Sequence, residues 1–173
     1  MEIFDIIVKR SSTRRFTPEQ IAESELEKIL DAGEMAPIAS KDYERMMITV
    51  IQDMSLLKKI GKTVGAYLGK PLVNPLYNAP TFILISGKEY PPFRLGNSNE
   101  IPQPNLEYAN AGCIIQNMLL MATGLEIGSV YITGALYAFT LDESLLRQLD
   151  LPEGFRPLSG LALGYPQKPL PKR

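Results

Sequence analysis

Residues 106–124 read LEYANAGCIIQNMLLMATG, and this stretch decides the architecture. Ala109, Cys113, Gln116 and Leu120 recur along one helical line, with Ile114, Met118 and Met121 beside it. The spacing predicts a strongly apolar helix over about 107–123 that serves as a central core element. Gly124 is expected to end it as a left-handed C-cap. Cys113 then reads as a small buried hydrophobe, and Met46, Met47, Met118 and Met121 read as core fillers. A helix apolar around so much of its circumference exceeds what a small sheet covers. A second copy of the chain is therefore expected to complete the burial.

Working outward, Ile3, Phe4, Ile7 and Val8 predict a first helix over 2–9. Thr17-Pro18-Glu19-Gln20 and Ser24-Glu25-Leu26-Glu27 both resemble capping boxes. The second is the better start, because Leu26, Ile29, Leu30 and Gly33 then line one face; Pro37 stops that helix near Met35. Glu25, Glu27, Asp31 and Glu34 are expected to form its wet side. Strands are expected at Met46–Gln52, Thr81–Ile85, Ser129–Thr133 and Leu158–Tyr165, with a helix at 55–68. Thr140-Leu141-Asp142-Glu143 caps a short helix ending near Leu149. Residues 87–106 hold glycines, prolines and asparagines without period, a binding loop or a disordered one. With neither repeat nor linker, residues 1–173 read as one α+β domain.

Composition excludes several classes. A net charge of −1 with basic residues in small clusters argues against a nucleic-acid binder. No apolar run reaches the ~20 residues of a membrane span, and no secretory leader pattern opens the chain. A single cysteine forms no internal disulfide, which fits a cytoplasmic protein. The chain has no histidine, so a Ser-His-Asp triad, a Cys-His pair and an ordinary zinc site are all out. Carboxylates or a cofactor must carry any chemistry.

The polar signal lies at the two ends. Arg10, Ser11, Ser12 and Arg14, followed by Phe16, stand at the exit of the first helix, and the chain closes on Lys172 and Arg173. Guanidinium forks and hydroxyls suit the oxygens of a phosphate. In an arbitrary chain the plain reading of such a cluster is a solvated basic turn. Here two clusters serve one phosphate if the termini meet. No Gly-x-Gly-x-x-Gly stretch for a pyrophosphate is present.

In order, the chain offers the Arg-Ser-Ser-x-Arg-x-Phe stretch and Ala36-Pro37, then Asn110-Ala111-Gly112 with Gln116-Asn117. Gly124-Leu125, Ser129-Val130-Tyr131-Ile132-Thr133-Gly134, Leu151-Pro152-Glu153-Gly154-Phe155 and Ala162-Leu163-Gly164-Tyr165-Pro166 follow. This succession resembles the nitroreductase family of flavin enzymes across nearly the whole chain, least between 53 and 106. The resemblance implies a nitroreductase-like α+β fold, a central mixed sheet flanked by helices, in an intertwined homodimer that holds FMN at its interface. It assigns Arg10, Ser11, Ser12 and Arg14 to the phosphate and ribityl end of FMN, with Arg173 and Lys172 closing on the same phosphate. Thr133 and Gly134 fall where backbone passes the reactive edge of the ring, and a missing Cβ permits that approach.

One segment departs from the family pattern. After Ala36-Pro37 the chain has Ile38-Ala39-Ser40-Lys41-Asp42-Tyr43-Glu44-Arg45, with Lys41 and Tyr43 where amides are usual. Lys41 is either a cation beside N1 and O2 of the flavin, favouring its anionic reduced form, or a solvated loop charge. Tyr90, Phe93 and Arg94 either cover the flavin or a ring-shaped substrate, or belong to a disordered loop. The resemblance implies an enzyme that moves electrons from NAD(P)H to a planar acceptor such as a nitroaromatic or quinone. The flavin itself carries the chemistry, with no catalytic side chain. The alternative is a flavin carrier or sensor without efficient turnover.

Overall fold

The computed structural model describes residues 2–94, 96, 99–103 and 105–171. The first helix, α1 (Ile3–Lys9), falls where the apolar spacing puts it. The second, α2 (Glu23–Glu34), begins just before Ser24, and its N-cap is Ala22, which has no side-chain acceptor. Tyr165 and Glu25 instead hold the backbone of that N-cap residue. The Ala22 N–H donates to the Tyr165 hydroxyl and to the Glu25 carboxylate, both at 3.2 Å, while the hydroxyl donates to Glu25 at 2.6 Å. That carboxylate holds the Tyr165 phenol above its ordinary range. Glu25 is thus bonded rather than simply wet, whereas Glu27, Asp31 and Glu34 are exposed as expected.

Four strands form one sheet: β1 (Met46–Ile51), β2 (Thr81–Lys88), β3 (Gly128–Ile132) and β4 (Phe155–Gly164), in the order β1-β2-β4-β3. All three ladders are antiparallel, running for example from Met46 opposite Gly87 to Ile51 opposite Phe82. The expected mixed character shrinks, among the described residues, to a single parallel bridge between Ser12 and Ser129. The interior strands β2 and β4 are buried on both faces, so they read as continuous apolar runs without alternation.

One face carries Phe82, Leu84 and Ala162, covered by Leu57, Ile60 and Val64 of α3 (Met54–Tyr67). The other face carries Ile83, Ile85, Leu161 and Leu163. It is covered by Ile29 of α2 and by Ile114, Ile115 and Met118 of α4 (Leu106–Gly124). Each large side chain buried this way contributes about 1.5–3 kcal/mol. The same division places Phe16 and Tyr77 on the α3 side and Ile38 on the α4 side.

The helix α4 is the central element its composition predicts, but it turns only one side inward. Ala109, Gly112, Cys113 and Gln116 face out, so Cys113 is exposed rather than buried, and Met121 is 37% exposed rather than a core filler. With apolar residues all round, periodicity names no inner face; the sheet and α2 choose it. Gly124 is the last helical residue and not the left-handed cap. That role falls to Glu126 at φ 60°, which forms an ion pair with Lys9. The short helix expected after the Thr140-Leu141-Asp142-Glu143 cap is α6 (Glu143–Arg147), and a further short helix that the sequence reading lacks, α5 (Tyr137–Leu141), precedes it. Asp142 divides them, capping α6 by accepting from the Ser144 N–H at 2.9 Å. Beyond β2, Phe93 and Ile101 pair through backbone bonds of 2.8 and 2.7 Å, which orders part of the aperiodic stretch. Among the described residues no helix is long and apolar enough to cross a membrane.

Candidate cofactor site

The segment 12–17 lies against β3 and against residues 165–167, just past β4. Ser12 bridges Ser129 and the Thr13 N–H donates to the Ser129 carbonyl at 2.9 Å, so the basic stretch runs beside β3. Phe16 plugs into the core and bridges Pro166, while the Thr17 N–H bonds the Tyr165 carbonyl at 2.8 Å. Gln167 clasps the pair, its N–H on the Arg15 carbonyl and its side-chain amide on the Phe16 carbonyl, each at 3.1 Å. Thr13, Arg14, Arg15, Pro166, Gln167 and Lys168 line a cavity of about 280 Å³ at this junction. Lys172 and Arg173, the expected closing cations, lie outside the described residues. Local sequence does not mark Lys168, because only the bonds from neighbouring Gln167 to Arg15 and Phe16 bring it here.

Arg10 is half-buried at the exit of α1, where its N–H bonds the Ile6 carbonyl at 2.9 Å. Ser11 is half-buried and Ser12 exposed. Among the described residues, Arg10, Arg14, Arg15 and Lys168 have no carboxylate within ion-pair distance. Arg14 instead lies over the ring of Tyr77, its guanidinium carbon 5.8 Å from the centroid. Like charges gathered at a concavity without counter-charge form an anion-binding surface.

Tyr77 belongs to a turn held by Asn74, whose side chain accepts from the Leu76 N–H at 2.9 Å and donates to Asn78 at 2.8 Å. Tyr77 and Asn78 are both left-handed, at φ 54° and 57°. Pro75 of this turn lies 3.6 Å from where a Cβ on Gly134 would stand, an ordinary contact. One turn therefore has Arg14 on one side and Gly134 on the other. Gly134 has neither a positive φ nor a crowded interior neighbour, so packing within the chain does not demand a glycine there. Thr133 is exposed beside it, just past β3. Local patterning marks Asn78 as a turn residue but carries no sign of Tyr77 as the support of Arg14.

Lys41 is not brought to this group. It is exposed in a short 3-10 turn, Ala39–Lys41, following Ile38, on the α2–α4 side of the sheet. Arg14, Tyr77 and Gly134 gather on the opposite side. Within one chain the sheet separates them. Tyr90, read as either a cover for a ligand or part of a disordered loop, is buried, its hydroxyl accepting from the Asn110 side chain at 2.8 Å. Phe93 is exposed, and Arg94 pairs with Glu100 at 2.9 Å.

An antiparallel sheet packed between helices, with its basic N-terminal stretch clasped to the tail, defines an α+β architecture shared with known structures. A nitroreductase from Bacteroides fragilis, solved with bound FMN, superposes with a TM-score of 0.79 at 25% identity, covering 100% of this chain and 94% of that one. A nitroreductase from Desulfitobacterium hafniense gives 0.83 at 21% identity, over 100% and 94%, a likeness of fold alone. The FMN reductase [NAD(P)H] of Bacillus subtilis is 27% identical over 174 residues, 95% of this chain and 66% of the relative, just under two thirds of its length. The sequence model of the nitroreductase family matches residues 7–68 and 52–165. The chain belongs to the nitroreductase family.

Proposed function

We propose that the protein is an FMN-dependent oxidoreductase that takes electrons from NAD(P)H and passes them to a planar acceptor such as a nitroaromatic or a quinone. The observation that carries this reading is the cavity between residues 13–15 and 166–168, where Arg14, Arg15 and Lys168 gather with no carboxylate among the described residues. Such a set fits a terminal phosphate. Arg10, Ser11, Ser12 and Arg14 would hold the phosphate and ribityl end of FMN, with Lys172 and Arg173 close by. Thr133 and Gly134 would face the reactive edge of the ring. Bound FMN supplies the hydride and electron chemistry, so a chain without histidine suffices.

The protein acts as a homodimer in this reading. Ile3 and Phe4 of α1 are 78% and 72% exposed, beside the outward face of α4. Ile3, Ile7, Leu120 and Met121 line an apolar groove of about 440 Å³ there. The sheet keeps Lys41 away from Arg14 in one chain, so a flavin touched by both takes Lys41 from the second copy.

Purified protein should show the visible bands of flavin, with FMN as the released cofactor, and NADH or NADPH should bleach them in a stopped-flow trace. Flavin that neither reductant bleaches would make the protein a flavin carrier or sensor. Arg14→Ala should weaken FMN retention by about 1.5–3 kcal/mol, the range for hydrogen bonds to charged groups. Unchanged retention would return the cluster to a solvated turn.

A further inference from the structure

We propose that Asn110 is a positioning residue of the flavin site, acting with Tyr90 to hold the Ser40–Lys41 turn in a backbone shape that those residues do not favour. The inference rests on the FMN reading above. Ser40 and Lys41 are both left-handed, at φ 58° and 54°, and neither is a glycine. A Cβ makes that conformation costly, so two in succession persist only where the surroundings impose them. The turn's own bonds are long: the Lys41 N–H reaches the Ile38 carbonyl at 3.3 Å, and the Asp42 N–H reaches that of Ala39 at 3.3 Å.

The surroundings that impose it come from α4 and from Glu89 and Tyr90, just past β2. Asn110 is 3% exposed, and its carbonyl oxygen accepts from the Ala39 N–H at 3.0 Å. Its amide nitrogen donates to the Tyr90 hydroxyl at 2.8 Å, and that hydroxyl in turn faces the Ala39 carbonyl at 3.4 Å. Both backbone groups of the residue that enters the turn are thus engaged. Burial pushes the Tyr90 phenol above its ordinary range, which keeps the proton it donates. At the exit, Arg45 bonds the Asp42 carboxylate at 2.7 Å and the Glu89 carbonyl at 3.0 Å, and stacks over the Tyr90 ring at 5.3 Å.

This buried polar network shapes a turn that contributes little to the core. Ser40 and Lys41 are exposed, and among the described residues their side chains bond nothing. An aliphatic residue at 110 would leave the Ala39 N–H without its acceptor and the Tyr90 hydroxyl without its donor, so the amide answers to the turn. A strained, exposed turn fixed by an interior amide bonded at both its oxygen and its nitrogen is the arrangement of a preorganised site. The network's work is to present Ser40 and Lys41 outward in one geometry.

The test joins hydrogen exchange on flavin-free protein with the two-electron potential of the FMN-loaded protein. Asn110→Ala should speed exchange across residues 39–42 at least tenfold while leaving α3 unchanged. In the loaded protein it should lower the flavin potential in the same sense as Lys41→Met, because the cation is no longer held. Tyr90→Phe, which keeps the buried ring, should do both to a smaller degree. Adding Ser40→Gly and Lys41→Gly to Asn110→Ala should return exchange at 39–42 towards the parent rate, since glycine adopts the left-handed shape unaided. Unchanged exchange in both Asn110→Ala and Tyr90→Phe overturns the proposal, and so does faster exchange with an unmoved potential. Parent protein that takes up no FMN would sink the cofactor reading instead, while the exchange arm still judges the brace.

Discussion

The two sides of α4 have similar composition and opposite circumstances. Inward, Ala111, Ile114, Ile115, Met118 and Ala122 are packed against α2 and the sheet. Outward, Ala109, Gly112, Cys113 and Met121 meet solvent in a single chain, and a Cβ on Gly112 would have nothing within 4 Å. A glycine in mid-helix costs roughly 0.5–1 kcal/mol relative to alanine. Nothing inside the chain repays that cost at Gly112. The contrast teaches that the sequence of α4 answers to two neighbours, one of which is a second copy of the chain in the reading proposed above.

The strongest blow to the inward side is Met118→Ala. It empties a fully buried position between α2 and the sheet and should cost about 2–5 kcal/mol in chemical denaturation. A cost no greater than that of an exposed substitution would mean the inner face is loosely packed. On the outer side, Gly112→Arg should leave the fold of each chain intact by circular dichroism yet convert a sedimenting dimer into monomer. Cys113 should be shielded from thiol reagents in the parent protein and react freely in that variant. A parent protein that sediments as a stable FMN-loaded monomer, with Cys113 reactive, would erase the contrast between the sides.

The smallest effect expected is at Asp142, remote from either side of α4, which serves as the baseline. Its hydrogen bonds from Ser144 hold the carboxylate below the ordinary value near 3.8. The folded value being the lower, its contribution is fully present above that ordinary value and is lost as pH falls through the folded one. Asp142→Asn should therefore be slightly less stable than the parent at neutral pH, with the difference vanishing in strong acid. A difference that persists at pH 2 would assign the effect to shape, not charge.

What could be read in the sequence was local. The basic stretch at Arg10–Arg14, the apolar run of α4 and the strand runs carry their chemistry in adjacent residues, and each falls close to where it was expected. Features that depend on distant pairing were not legible. Ala39 meets Asn110 across 71 residues, and Ala22 borrows a hydroxyl from Tyr165 across 143. The buried side of α4 escaped for a different reason, since an all-round apolar helix has no periodic bias to read. Tyr77 under Arg14 left no trace at all, because a left-handed tyrosine runs against local preference.

The strand order has a consequence for how the molecule is made. β4 leaves the ribosome after β3, yet it lies between β2 and β3. Until residue 164 emerges, β3 has no strand partner among the described ladders, and one edge of β2, with its run Phe82-Ile83-Leu84-Ile85, stays open. From the completion of β2 at Lys88 until β4 emerges, the nascent chain carries a bare apolar edge, the kind of surface on which unfinished proteins aggregate. The pairing that closes it joins distant parts of the chain and is slow for that reason. Early release or truncation before β4 would thus deliver an unfinished, sticky sheet to the chaperones, not a smaller working protein.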